Sequence, residues 1–151
     1  MNAFETPRVD LVGKITAAVH EHGGVAPTTI IKAGTPWSVH IKWEMKGTNW
    51  HMVAGNWHVH VNLESIGPGP ELSLYDYADP NCQNQPLPSP TGEYSCHFDV
   101  PGSVLSTSVV PHQGLAMKLV VLLTYVDPLG HRGPIAGYWE GPILQFYVDH
   151  P

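Results

Sequence analysis

Pro36-Trp37-Ser38-Val39-His40-Ile41-Lys42-Trp43-Glu44-Met45-Lys46-Gly47 decides the fold class. Trp37, Val39, Ile41, Trp43 and Met45 fall on one side of an extended chain, and Ser38, His40, Lys42, Glu44 and Lys46 on the other. Side chains alternate across a strand, so this spacing predicts a half-buried strand with one solvated face. Asn56 to Ser65 repeats the pattern. There Trp57, Val59, Val61 and Leu63 oppose His58, His60, Asn62 and Glu64. Such strands belong to antiparallel sheets that bury one face.

Working outward, Val9 to His20 alternates less cleanly, with Val9, Leu11, Ile15, Ala17 and Val19 against Asp10, Lys14, Thr16 and His20. A helix is conceivable there, but a strand fits better. Shorter strands are expected at Glu71–Leu74 and Glu93–Val100, where Tyr94, Cys96, Phe98 and Val100 point together. Leu119 to Val126 is apolar on both faces, and Ile143 to Val148 nearly so. The turn cluster Asp127 to Pro134 between them predicts a long hairpin. Fifteen Gly and fifteen Pro punctuate the chain and leave little room for helices.

About seven or eight strands with closely spaced turns predict an all-β fold, a two-sheet antiparallel sandwich. Over most of its length this pattern resembles immunoglobulin-like or fibronectin-type sandwiches, at the level of architecture. The Cys–Trp–Cys spacing of antibody domains is absent. The expectation is one domain over residues 1–151, with 1–35 forming an N-terminal strand at home or an arm that reaches a neighbour. Thr28-Thr29-Ile30-Ile31 is strand-like enough for either. Tyr75 to Gly92 reads as a long loop rich in Pro, Asn and Gln, a kind that is usually functional or disordered.

Composition narrows the function. Charged residues are 13% of the chain against 42% hydrophobic, and the net charge is −6 with seven Lys and Arg. Soluble proteins usually carry about a quarter charged residues. No basic run is present to grip a nucleic-acid backbone. No stretch reaches the roughly 18 apolar residues of a membrane span. MNAFETPRVD has neither the basic nor the apolar region of a secretory signal. A cytoplasmic, virion or assembly setting is therefore expected over classical secretion, unless the chain is a mature form. Cys82 and Cys96 allow one disulfide, worth about 3 kcal/mol on chain-entropy grounds. Two buried, reduced thiols remain the alternative.

Three functional readings follow. In the first, Val120, Leu122 and Val126, with Ile143 and Tyr147, form an exposed apolar row, because Leu119, Val121, Leu123 and Tyr125 point inward. Such a row marks an interface, and few charges suit one. The chain would then be a non-enzymatic structural or interaction subunit that self-assembles or docks on a larger protein. In the second, end loops carrying Tyr75, Tyr77 and Trp139 hold a carbohydrate or peptide by aromatic stacking. In the third, His58 and His60, two apart on one face, are joined by His40 around zinc or copper. Three or four ligands would have to converge within about 2.0–2.3 Å of one point. Ten histidines make this worth testing, although on a solvated face they also serve as neutral polar groups.

Catalysis has no local signature. There is no Gly-rich phosphate loop, HExxH or GxSxG, and Gly67-Pro68-Gly69-Pro70 is a turn. Glu44, Glu64, Glu71, Glu93, Asp99 and Glu140 form no spaced pair. The chain is accordingly expected not to be an enzyme and to need no cofactor.

Overall fold

The computed structural model describes residues 2–4, 11–22, 24, 26–47, 54–67, 71–87 and 91–149. The expectations for Val9, Asp10, the side chain of Leu11, residues 68–70 and residues 88–90 of the long loop lie outside the described set.

The architecture is all-β, in two sheets. The strands are β1 (Asn2–Phe4), β2 (Leu11–Glu21), β3 (Ile30–Lys32), β4 (Trp37–Gly47), β5 (Asn56–Ser65), β6 (Glu71–Ser73), β7 (Gln85–Pro86), β8 (Glu93–Val100), β9 (Leu115–Val126) and β10 (Arg132–Tyr147). One helical turn, α1 (Pro80–Gln83), precedes β7. The first sheet has the order β1-β2-β4-β8. The second has the order β3-β10-β9-β5-β6, with β7 also paired to β5. Strands are more numerous than expected because β1, β3 and β7 are two or three residues long, whereas the short β6 falls where a strand was expected. Elements so short carry no period to read.

The alternation was a reliable guide. Trp37, Val39, Ile41, Trp43 and Met45 are buried, as are Trp57, Val59, Val61 and Leu63 of the facing sheet. Leu119, Val121, Leu123 and Tyr125 of β9 point inward with them. β9 and β10 form the expected hairpin, closed by Asp127, whose carboxylate accepts from the amides of Leu129 and His131 at 2.9 Å. The described N-terminal strands pair within the chain. β2 pairs antiparallel with β4 along its whole length, and β3 runs parallel to the end of β10.

Trp57 lies where the two sheets meet. Its ring is 6.3 Å from Trp43 and 5.6 Å from Tyr94, both of the first sheet, and 6.4 Å from Tyr125 of its own. All three contacts are edge-to-face, the arrangement the ring quadrupole favours. The two tyrosine hydroxyls leave the apolar layer by donating to backbone carbonyls, Tyr94 to Leu87 and Tyr125 to Ala54. Burial raises both phenol pKa values.

β10 breaks register with β9 between Glu140 and Ile143. Gly141 sits at that irregularity, and a Cβ there would lie 2.2 Å from the Trp139 ring. Only glycine lets the bulged backbone pass this indole.

The Tyr75–Gly92 connection is more structured than a Pro-rich loop suggests. Tyr75–Tyr77 forms a 3-10 turn and α1 follows. Ala78 bridges to Phe98, the Asp79 amide donates to the His97 carbonyl at 3.0 Å, and Cys82 is bonded to Cys96. The segment thereby covers the edge of β8, which would otherwise expose unpaired amides and carbonyls.

Candidate functional site

Outward positions of β2, β4 and β8 converge on the solvent face of the first sheet. Registration places His20 opposite Ser38 and Ser38 opposite Asp99. One row along, Ala18 faces His40, and His40 faces His97. Ala18 is only a methyl, so the His20 ring can lean diagonally to within 4.9 Å of His40. On the other side the His97 ring stacks over His40 at 6.0 Å. Three imidazoles thus form a band across three strands.

Two carboxylates hold one end of the band. Asp79 caps α1, accepting from the Cys82 amide at 3.1 Å. Its other oxygen faces His97 Nδ1 at 2.8 Å and the His97 amide at 3.3 Å. His97 Nε2 faces Asp99 at 3.1 Å. Both ring nitrogens of His97 therefore meet carboxylate oxygen, and the ring is held in one orientation. At the centre, Ser38 Oγ lies 3.1 Å from His40 Nε2. When that nitrogen is unprotonated, the hydroxyl donates to it.

Partial desolvation lowers the pKa of His40, although its side chain is exposed, and the neighbouring His20 and His97 lower it further. Asp99 opposes the shift and Lys42 adds to it. The consequence is an imidazole that stays neutral to lower pH than an ordinary histidine. It borders an open groove of about 1100 Å³, whose walls include His20, Ser38, Trp37, Tyr77 and Asp99. Glu21 and Asp76 also line it, and among the described residues no Lys or Arg does. A hydroxyl within hydrogen-bond reach of an imidazole beside a groove meets one geometric requirement of a nucleophile and its base.

No protein-family model and no curated protein matches the chain. Among solved structures it is similar in fold to AvmM. The match covers 99% of this chain and 97% of that one, with a TM-score of 0.52 at 8% identity. AvmM is described as catalysing macrocyclization in alchivemycin A biosynthesis. At that identity the likeness speaks to fold alone. The expectation that the chain is not an enzyme is withdrawn, because a similar fold carries an enzyme over nearly its full length. The absence of a local motif was a weak argument. Groups carried on neighbouring strands leave no contiguous signature.

The metal reading is also corrected. His58 and His60 lie on β5, on the outer face of the second sheet, whereas His40 lies on the outer face of the first. The buried core separates them, so the three cannot share an ion. Near His58 and His60 stands Arg132, whose charge adds to burial in lowering the pKa of both. Tyr75, Tyr77 and Trp139 do not converge either. Tyr75 stacks on His60, Tyr77 lines the groove, and Trp139 borders a small pocket beside Ala17, Val19 and Pro27.

Val120, Leu122, Val126, Ile143 and Tyr147 share the outer face of the second sheet but not one patch. Leu122 and Ile143 are exposed, while Val120, Val126 and Tyr147 are half-buried. Val120 sits between Asn62 and Glu140, and Ile143 is paired with Lys118. The Lys118–Glu140 ion pair interrupts the row.

The residues that sequence reasoning missed are His20, Ser38, Asp79 and His97, together with Asp99 in this role. Each stood at a polar position of a strand or in the loop. Ser38 stands two residues before His40 on the same face of β4, so the alternation alone put that pair together, whereas bringing His20, Asp79, His97 and Asp99 to it needs the order β2-β4-β8, which no local pattern carries.

One pH prediction arises here. His40, His58 and His60 all have pKa values lowered by folding, so the folded state binds fewer protons than the unfolded chain near their ordinary pKa of about 6.5. Stability contributed by these groups is present above that value and is lost as pH falls from it toward the lowered values. Thermal melts from about pH 7.5 to about pH 5 should show Tm falling, with a shallower fall in His60→Gln. An unchanged slope in that variant would remove His60 from the account.

Proposed function

We propose that this chain is an enzyme in which His40 acts as general base on Ser38, and Ser38 attacks a carbonyl-bearing substrate lying in the groove. The observation that carries the reading is the Ser38 Oγ to His40 Nε2 contact at 3.1 Å, with His40 kept neutral at the groove wall. The hydroxyl proton passes to His40 as the Oγ–carbon bond forms. His40 then returns it to the leaving group, and the acyl group moves on to water or to another part of the same molecule. AvmM supports the second outcome by analogy, since it closes rings on a similar fold. Glu21, Asp76 and Asp99 on the walls favour a neutral or cationic substrate over an anionic one.

The test is labelling with a fluorophosphonate, which reports on activated serines without knowledge of the substrate. Ser38 should become phosphonylated with loss of fluoride, and Ser38→Ala should stay unlabelled. Equal labelling of Ser38→Ala would place the reactive group elsewhere, and no labelling of the native chain would remove Ser38 as nucleophile.

The finer fold assignment is part of the same proposal. We read the sandwich as immunoglobulin-like. The order β2-β4-β8 facing β10-β9-β5 supports this, being that of strands A-B-E against G-F-C.

A second reading concerns assembly and is compatible with catalysis. Leu122 and Tyr138 are cross-strand neighbours, 39% and 51% exposed. Lys118 and Glu140 beside them are already paired. A second copy of this chain would cover this apolar pair, with Glu64 and Arg132 of the same face left toward the margin. Light scattering should give a mass above 16.5 kDa that persists on dilution. Leu122→Asp should return it to the monomer mass while the protein stays folded. A native chain that is monomeric at all concentrations would end this reading.

A further inference from the structure

The disulfide has a third neighbour, Asp79, which caps α1 and holds His97. A carboxylate oxygen of Asp79 and the sulfurs of Cys82 and Cys96 all lie within 4.8 Å of one another. Both cysteines are buried, at 0% and 5% exposure, and Asp79 is largely shielded. Three ligand atoms at that separation need shifts of about an ångström to surround a zinc ion, whose bonds are about 2.3 Å to sulfur and about 2.0–2.2 Å to carboxylate oxygen.

The geometry points to a zinc site that replaces the disulfide when the bond is reduced. A dithiol reductant supplies two electrons and two protons and is itself oxidised to a disulfide, leaving Cys82 and Cys96 as thiols. Zinc then binds both sulfurs as thiolates and displaces their two protons to solvent. Asp79 is the third ligand, and a water completes the tetrahedron. Two thiolates and a carboxylate suit zinc better than calcium or magnesium, which select all-oxygen sites.

Asp79 is already oriented for the role. Its carboxylate accepts from the Cys82 amide, the His97 amide and His97 Nδ1. An ionised carboxylate has about four lone-pair sites, so one remains for a metal. Hydrogen bonds of this kind to a ligating carboxylate fix its direction and are common around metal centres. Both Asp79 and Cys82 lie in the segment that covers β8, so reduction leaves the ligands on a segment still held by the Asp79 to His97 backbone bond and the Ala78–Phe98 bridge. Asp79 also holds His97 beside His40, so the two sites share this residue, but zinc binding is read on the thiolates and does not depend on the reaction proposed for Ser38.

The full chain would be reduced with a phosphine, cleared of reductant without air, and titrated with cobalt(II) as a zinc surrogate. A thiolate-to-cobalt charge-transfer band should appear in the reduced protein and be absent from the oxidised one. Zinc should quench it at one equivalent and slow alkylation of both cysteines by iodoacetamide. The doubly substituted C82S/C96S chain should show no such band, which separates the site from binding by the ten histidines. Asp79→Asn keeps an oxygen to cap α1 but loses the anionic ligand, and should weaken zinc binding by about tenfold or more. Reduced protein without the thiolate band would overturn the inference, as would equal affinity in Asp79→Asn. So would a reduced chain that loses its β-sheet circular dichroism and does not recover it with zinc.

Discussion

Trp57→Ala should remove about 3–5 kcal/mol of stability, the range found when large aromatic side chains are deleted from cores. The indole is completely buried and touches aromatic rings of both sheets. Its loss opens a cavity at the place where the layers are joined. Each edge-to-face contact adds about 0.5–1.5 kcal/mol beyond the buried area. Domains of this size are stable by about 5–15 kcal/mol, so one substitution takes a large share of the whole. Urea unfolding should show a lower midpoint with an unchanged slope. Trp57→Phe keeps a ring in the same space and should cost less. A loss below about 1 kcal/mol for the alanine variant would mean that the aromatic cluster does not hold the sheets together.

The largest effect on reactivity is expected at His40. Removing a positioned general base typically costs about 10²–10⁴-fold in rate. His40→Gln keeps a polar side chain near Ser38 but cannot take its proton, so phosphonylation of Ser38 should slow by that factor. The sign of the pH dependence follows from the lowered pKa of His40. The base must be unprotonated, so labelling by the native chain should rise with pH and level off at a midpoint below the ordinary imidazole value of about 6.5. Asp99 opposes the shift, and Asp99→Asn should therefore move the midpoint lower still. A full-rate His40→Gln variant would separate Ser38 from its proposed base. A midpoint that stays put in Asp99→Asn would show that another group controls the profile.

Catalysis on such a surface would differ from catalysis in a deep pocket. The groove is open and the imidazole band lies on a flat sheet, so a substrate must bring much of its own cover to exclude water. The carboxylates at its margin act as guides for charge. Asp79 and Asp99 also hold His97 rigidly, and through its stacked ring they limit where His40 can move. Ordering of this kind is what a base needs if it is to meet its nucleophile without reorganising.

His40 shows how far the sequence could be read. Its position on the solvent face of a strand was evident from Trp37, Val39 and Ile41 around it, because period-two burial is imposed on each strand by its own core. The inward set of β4, β5, β8 and β9 was legible for the same reason, and so was the final hairpin, whose turn residues sit between its two arms. Its partners were not evident. His58 and His60 share its residue type and lie about twenty positions away, yet they are on the far side of the sandwich. His97 is nearly sixty positions away and lies beside it. Alternation is identical whichever strands become neighbours, so it carries no information on strand order. The pairing β2-β4-β8 is set by how two sheets bury one common core, and the covering of β8 by the Cys82 segment is set by the need to satisfy an edge. By itself the sequence determined which residues face inward and that the protein is built of strands. The alternation set Ser38 beside His40, but only the tertiary structure brought His20, Asp79, His97 and Asp99 to that pair, because contacts between distant strands are decided by the packing of the whole chain and not by any local pattern.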